Sequence, residues 1–207
     1  MRRSDRWLQE TTGEAIFGRF LLASVWFVPQ NAMARNVEIK ARVESLEAIV
    51  GRAAAIADQG PFEIQQDDTF FGCANGRLKL RELSPDHGEL IFYRREDKSG
   101  PKESFYVRAV TSDPTALREC LTLAHGQVGR VLKHRTLFLA GRTRLHVDRV
   151  AELGAFLEIE VVLQHDESVE SGIREANDLM NRLGIESTQL VEAAYIDLMS
   201  PPTALTS

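Results

Sequence analysis

Residues 133–160 read KHRTLFLAGRTRLHVDRVAELGAFLEIE. Three runs of alternating character follow one another in this stretch. Lys133 and Arg135 are spaced two apart, then Arg144, His146 and Asp148, then Glu158 and Glu160. Residues two apart on a strand share a face, so each run predicts a strand with charge on one side and Leu, Val, Ile or Phe on the other. Gly141-Arg142 and Gly154 punctuate the runs and predict hairpin connections. Cations and carboxylates mixed on such faces suggest a polyanion site with bound metal rather than a plain wetted surface.

The same signature recurs upstream. Glu38 and Lys40 alternate with Val37, Ile39 and Ala41 in NVEIKARV, and Arg77, Lys79 and Arg81 alternate with Leu78 and Leu80 in GRLKLRE. A strand is expected over Val37–Val43, followed by a helix capped by Ser45 and stopped by Gly60-Pro61. Further strands are expected over Phe62–Phe71, through Leu78, Leu80 and Leu83, and in ELIFYRRE and ESFYVRAV. Turns separate them at Asn75-Gly76, at Ser84–Gly88 and at Ser99-Gly100-Pro101. Asp113-Pro114 starts a helix to about Ala124, an N-cap followed by proline at the first helical position. Strands over Val128–Ala140, Thr143–Val150 and Ala155–Leu163 come next. From about Ser168 the period turns helical, with Ile173, Ala176, Met180 and Leu183 on one stripe and Gly184 at its end. A short last helix is expected to carry Leu190, Ala194, Tyr195 and Leu198. Roughly eight strands joined mainly as hairpins, with helices between and after them, predict an α+β fold. Its large antiparallel sheet is expected to close into a barrel flanked by α-helices.

The chain has 207 residues, enough for one ordinary domain or two small ones, and 43% hydrophobic with 27% charged residues is a globular balance. The net charge of -5 argues against bulk attraction to nucleic acid. The basic residues nevertheless cluster at Arg77, Lys79, Arg81, Arg94, Arg95, Lys98 and Lys102, as a small anionic ligand would require. Cys73 and Cys120 lack metal-type spacing, and the expected location is cytoplasmic. Residues 1–34 are expected to be a disordered or spurious extension, with Met33 as an alternative start. The apolar FLLASVWFV and Ala32-Met33-Ala34 only loosely imitate a signal peptide. The apolar run is too short to span a bilayer, so no membrane partner is expected. The domain proper is expected over 35–199, with 200–207 as a flexible tail.

The charge pattern has a chemical reading. A triphosphate needs several Lys or Arg groups converging on it, arginine offering a forked match to phosphate oxygens. Mg²⁺ or Mn²⁺ would need carboxylate oxygens on another wall. Glu158 and Glu160 on one face repel each other unless a metal or facing cations intervene. Each motif taken alone also fits a solvated strand face with cross-strand ion pairs.

These residues resemble the CYTH domain family, the triphosphate tunnel metalloenzymes. NVEIK is similar to the ExExK signature that opens the domain. Lys79-x-Arg81, Lys133-x-Arg135, Arg144 to Asp148 and Glu158-x-Glu160 follow in the family's order. The similarity runs from about Asn36 to Leu198, and the stretch quoted first is especially similar to class IV adenylate cyclases. The resemblance implies an eight-stranded antiparallel tunnel. It implies Glu38, Glu158 and Glu160 as metal ligands with Asp148 participating. Lys40, Lys79, Arg81, Lys133, Arg135 and Arg144 would grip and activate phosphates. Arg94 or Arg95 should join them, and alternation does not say which. The implied cofactor is Mg²⁺ or Mn²⁺ and the implied partner is a triphosphate-containing small molecule. Family members often pair, so a homodimer is among the expected arrangements. The implied reaction is hydrolysis of a nucleoside, thiamine or inorganic triphosphate, or cyclisation of ATP to cyclic AMP and pyrophosphate.

One departure stands out: Asn36 occupies the first acid of ExExK, which removes a negative charge. It keeps a non-catalytic polyphosphate-binding module as the alternative, beside a plain scaffold for protein contacts. His146 by itself reads as structural, Tyr195 reads as core, and no Walker-type phosphate loop is present.

Overall fold

Ala34–Arg42 forms β1, the strand on which the barrel closes. The structure, a computed structural model, describes residues 34–199. Ala34, the last residue of the expected extension, opens β1; the rest of the extension and the expected tail lie outside the described residues. The other strands are β2 (Gln59–Phe71), β3 (Arg77–Ser84), β4 (His87–Arg95), β5 (Lys102–Thr111), β6 (Gln127–Ala140), β7 (Thr143–Val150) and β8 (Gly154–Val162). They are hydrogen-bonded in the order β1-β5-β4-β3-β2-β6-β7-β8, with β8 returning to β1. Every neighbouring pair is antiparallel. The fold is α+β, a closed eight-stranded barrel with flanking helices.

The helices are α1 (Leu46–Ile56), α2 (Pro114–His125), α3 (Val169–Arg182) and the short α4 (Tyr195–Met199). Three begin as their sequences dictate. Ser45 Oγ accepts from the Ala48 amide, Asp113 from Ala116, and Ser168 from Ser171. Gly184 ends α3 at φ +65°, where the Gly184 and Ile185 amides donate to the Asn181 and Met180 carbonyls.

The barrel wears its apolar face outside. Val37, Ile39 and Ala41 of β1, Leu145 and Val147 of β7, and Leu157, Ile159 and Val161 of β8 are buried beneath Ile49 and Ala53 of α1 and Ala176 and Leu179 of α3. The opposite parity on the same strands carries the charges, so they point into the tunnel. Truncating fully buried Ile159 to Ala is expected to cost about 2–5 kcal/mol.

Two elements differ from expectation. Gly60-Pro61 lies inside β2, not in the stop of α1, which already ends at Ile56 with Ala57 as its cap. Tertiary pairing with β6 carries the strand through the proline, with a register shift between Gln59 and Phe62 that accommodates it. Leu190 lies outside α4; it bridges to Ala41 instead, following a 3-10 turn at Ser187–Gln189.

Candidate active site

Two buried aspartates organise the cations of the tunnel. Asp68 on β2 stands directly opposite Arg81 on β3. Its carboxylate accepts from Arg81 Nε at 2.8 Å and Nη2 at 3.0 Å, and from Lys79 Nζ at 2.8 Å. Asp148 on β7 stands directly opposite Arg135 on β6. It accepts from Arg135 Nε at 2.7 Å and Nη2 at 2.6 Å, from Lys133 Nζ at 3.2 Å and from the Tyr195 hydroxyl at 3.2 Å. Burial opposes charge on both carboxylates, but the paired arginine and lysine win. Asp68 is held far below the ordinary range and Asp148 at about 2.

A cluster of acids and an imidazole lines β7 and β8. His146 stands opposite Glu158 in the β7–β8 ladder, and Arg144 opposite Glu160. His146 Nδ1 lies 3.6 Å from Glu160 Oε1 and 3.9 Å from Glu158 Oε2, too long for hydrogen bonds, and is buried without a partner. One ligand atom from each of the three groups falls within 4.8 Å of the others. Facing cations relieve the acid pair: Arg135 Nη2 reaches Glu158 at 2.6 Å, Lys40 Nζ reaches it at 3.4 Å, and Arg144 Nη2 reaches Glu160 at 2.9 Å. Burial works against charge on Glu158, yet Lys40 and Lys133 keep its pKa well below normal. Burial likewise opposes charge on Glu160, and the charged form of His146 together with Arg144 brings it to about 2. Burial, and then Arg135, lowers the pKa of His146 and so favours the neutral imidazole. A neutral nitrogen without a partner beside two ionised carboxylates suits a divalent cation.

The segment after Leu190 is stitched to the Lys40 end of the tunnel. Lys40 Nζ donates to the Ala193 carbonyl at 3.1 Å and sits 3.9 Å from the Tyr195 ring centroid. The Val191 amide donates to the Lys40 carbonyl at 2.9 Å. Lys102, 1% exposed, donates to the carbonyls of Lys98 and Glu192 at 3.0 and 3.3 Å. Burial of Lys40 outweighs its carboxylate neighbours and lowers its pKa to about 8.

Most residues singled out in the sequence converge here. Lys40, Lys79, Arg81, Lys133, Arg135, Arg144, Glu38, Asp148, Glu158 and Glu160 all lie on inward-facing positions of the eight strands. Three placements refine the reading. Arg95 points inward and pairs with Glu38, whereas Arg94 is exposed on the outer face, its guanidinium 5.4 Å from the Phe105 ring centroid. This places Arg94 outside the tunnel, because alternation allows only one of two neighbours inside. Asp148 is a counter-ion rather than a member of the His146–Glu158–Glu160 group, since both its oxygens are taken by Arg135, Lys133 and Tyr195. Glu38 also lies outside that group, engaged by Arg95. Sequence reasoning passed over Asp68 and gave His146 no role. The signal for His146 was its place between Arg144 and Asp148. For Asp68 it was the need of Lys79 and Arg81 for a buried counter-charge. Tyr195 is core, as expected, but its hydroxyl also holds Asp148.

A family profile described as the CYTH domain matches residues 34–195, the whole barrel and the start of α4. The chain belongs to the CYTH family. A protein of Aeromonas hydrophila named adenylate cyclase CyaB is 24% identical to this CYTH chain over 180 residues, 83% of this chain and 92% of the relative. The PH1012 protein of Pyrococcus horikoshii has the same architecture at a TM-score of 0.71 and 23% identity, covering 80% of this chain and 99% of its own. A putative adenylyl cyclase from Hippeastrum, described as having a dominant triphosphatase activity, superposes at a TM-score of 0.55 and 17% identity. That match covers 79% of this CYTH chain and 94% of the other. At such identities the structural likeness speaks for the fold. Among the described residues of this CYTH chain no helix is long and apolar enough to cross a membrane.

Proposed function

We propose that the protein is an enzyme that takes a triphosphate into the tunnel and cleaves one of its phosphoanhydride bonds with a divalent cation. The observation that carries this reading is the meeting of a basic group and an acidic group inside one tunnel. Lys79, Arg81, Lys133 and Arg135 converge from β3 and β6, and His146, Glu158 and Glu160 gather on β7 and β8. Asp68 and Asp148 hold the guanidinium planes and ammonium groups in place before any ligand arrives, so little reorganisation remains at the moment of reaction. Arginine and lysine then neutralise charge on the phosphoryl oxygens. His146, Glu158 and Glu160 would hold the cation, Mg²⁺ or Mn²⁺, with Asn36 offering a buried, unpartnered amide oxygen on β1. When bound, such a cation would screen phosphate charge and polarise the attacked phosphorus. Arg144 stays anchored to Glu160, with its Nη2 also 3.4 Å from the Tyr106 hydroxyl.

The same site serves two nucleophiles. Water on the terminal phosphorus gives hydrolysis. The ribose 3′-hydroxyl on the α-phosphorus of ATP gives cyclic AMP and pyrophosphate, the reaction named for the Aeromonas relative. Incubation with ATP, thiamine triphosphate and tripolyphosphate, each with Mg²⁺ or Mn²⁺, tests both. Orthophosphate marks a hydrolase and cyclic AMP with pyrophosphate marks a cyclase. Binding without turnover of any of the three leaves a binding module, and absence of binding defeats the proposal. Oligomeric pairing and a cytoplasmic location belong to the same reading and are tested by light scattering and by fractionation.

A further inference from the structure

Gln66 lies in the tunnel wall on β2, two residues before Asp68 and opposite Lys133 on β6. It is 3% exposed, and neither its amide nitrogen nor its amide oxygen has a partner. Glu89 on β4, opposite Arg81, is 4% exposed; its Oε1 accepts from Arg108 at 3.0 Å while Oε2 is buried without a partner. Gln66 and Glu89 thus come from the strands on either side of β3, flanking the Lys79–Arg81 grip. An unpaired polar atom in a buried site is costly, so a site that keeps several is built for a ligand that completes them.

The kind of group required follows from donor and acceptor count. Near neutral pH a triphosphate chain offers acceptor oxygens and almost no donors. Phosphate offers nothing to Gln66 Oε1, and it repels Glu89 Oε2. Both oxygens need N–H or O–H donors from the ligand. Because the amide has both ends free, this holds whichever way it is turned. A nucleoside supplies such donors through its ribose hydroxyls and base amino groups; tripolyphosphate supplies none.

We propose that Gln66, together with Glu89, determines specificity by selecting a nucleoside triphosphate over inorganic tripolyphosphate. The inference rests on the triphosphate reading above and adds to it the organic part of the substrate and the residues that read it. Sites that hydrogen-bond a substrate group reject analogues lacking it, because the buried partner is then left unpaired.

The test measures steady-state kinetics of the full chain with ATP and with tripolyphosphate, both with Mg²⁺, for the unaltered protein, Gln66→Met and Gln66→Asn. The unaltered protein should show the higher kcat/KM for ATP. Gln66→Met should lower kcat/KM for ATP by about 10- to 100-fold, mostly through KM, and leave tripolyphosphate within about twofold. Gln66→Asn keeps the amide but shortens its reach, and should show the same selective loss. The melting temperature of ligand-free Gln66→Met should stay level or rise, since a thioether replaces an unpaired amide of similar length. An equal fall for both substrates, no fall for either, or a preference of the unaltered protein for tripolyphosphate overturns the assignment while leaving the triphosphate reading intact. An unaltered protein that neither binds nor turns over either ligand overturns both.

Discussion

The Asp68 and Asp148 clusters are two versions of one device. In each, a buried aspartate faces an arginine across a strand pair, and the lysine two residues before that arginine completes the grip. They differ in what lies beyond. Arg135 also binds Glu158, and Asp148 is also held by Tyr195. Among the described residues Lys79 and Arg81 make no ion pair other than with Asp68. The β6–β7 cluster is therefore wired into the acidic group and the C-terminal segment, whereas the β2–β3 cluster has charge to spare for a ligand. The same local motif is tied into the surrounding frame in one place and left freer to grip in the other.

Removing the aspartates should expose that difference most strongly. Asp148→Ala leaves two buried cations short of a counter-charge, and a loss of about 3–5 kcal/mol in stability is expected from urea melts. Asp68→Ala should lose a comparable amount, but added tripolyphosphate should restore its melting temperature more fully, because the freed cations there face the ligand. Equal rescue of the two variants would erase the distinction. The frame should also fail in acid. Asp148 has an ordinary pKa of 3.8 and a folded value of about 2. Its stabilisation is fully present above about pH 4 and is lost as pH falls through 2.

Activity comes next. Glu160→Gln and Arg81→Ala are each expected to lower turnover by at least about 100-fold while leaving circular dichroism unchanged. Only Glu160→Gln should weaken Mn²⁺ binding measured by electron paramagnetic resonance. Full activity in both variants would remove the tunnel assignment.

A smaller effect lies in protons. Burial, then Arg81, holds Lys79 at about 8 against an ordinary 10.5. The charged form is thus disfavoured in the free fold, and this group adds stability as pH rises from about 8 towards 10.5. A polyanion restores the charge, so tripolyphosphate binding at pH 8–9 should take up protons. Calorimetry in buffers of different ionisation enthalpy reads this, and Lys79→Met should diminish the uptake. Smallest of all, Arg94→Ala should change stability by no more than about 0.5 kcal/mol and leave kinetics unaltered, whereas Arg95→Ala leaves Glu38 without its partner.

The barrel was legible because alternation is a local signal: each strand names its two faces within a few residues. Closure was expected from the run of hairpins and the family resemblance, but its seam was not legible, since β1 pairs with both β5 and β8, and nothing in NVEIKARV names those partners. Asp68 escaped notice because it stands beside Asp67. Adjacent acids show no alternation, and only the register sends Asp67 outward to Arg130 and Asp68 inward to Arg81. Arg94 and Arg95 posed the same parity question. Lys102 was counted in the basic cluster, but nothing marked it as buried against backbone: two of the carbonyls around it come from Val191 and Glu192, some ninety residues away. Long-range partners decide the meaning of a buried charge, and a single sequence records them only where a motif happens to repeat.

The pairing of β1 with β8 has a consequence for how the chain is made. The first described strand to leave the ribosome meets its second partner only after the last strand has been synthesised. Until then β1 and β7 each present a bare edge, and unpaired edges invite intermolecular pairing. The nascent domain is expected to be exposed to aggregation over most of its synthesis and to lose its free edges in one late step. A released chain truncated before Gly154 should therefore be captured by edge-binding chaperones, and one extending beyond α3 should escape them.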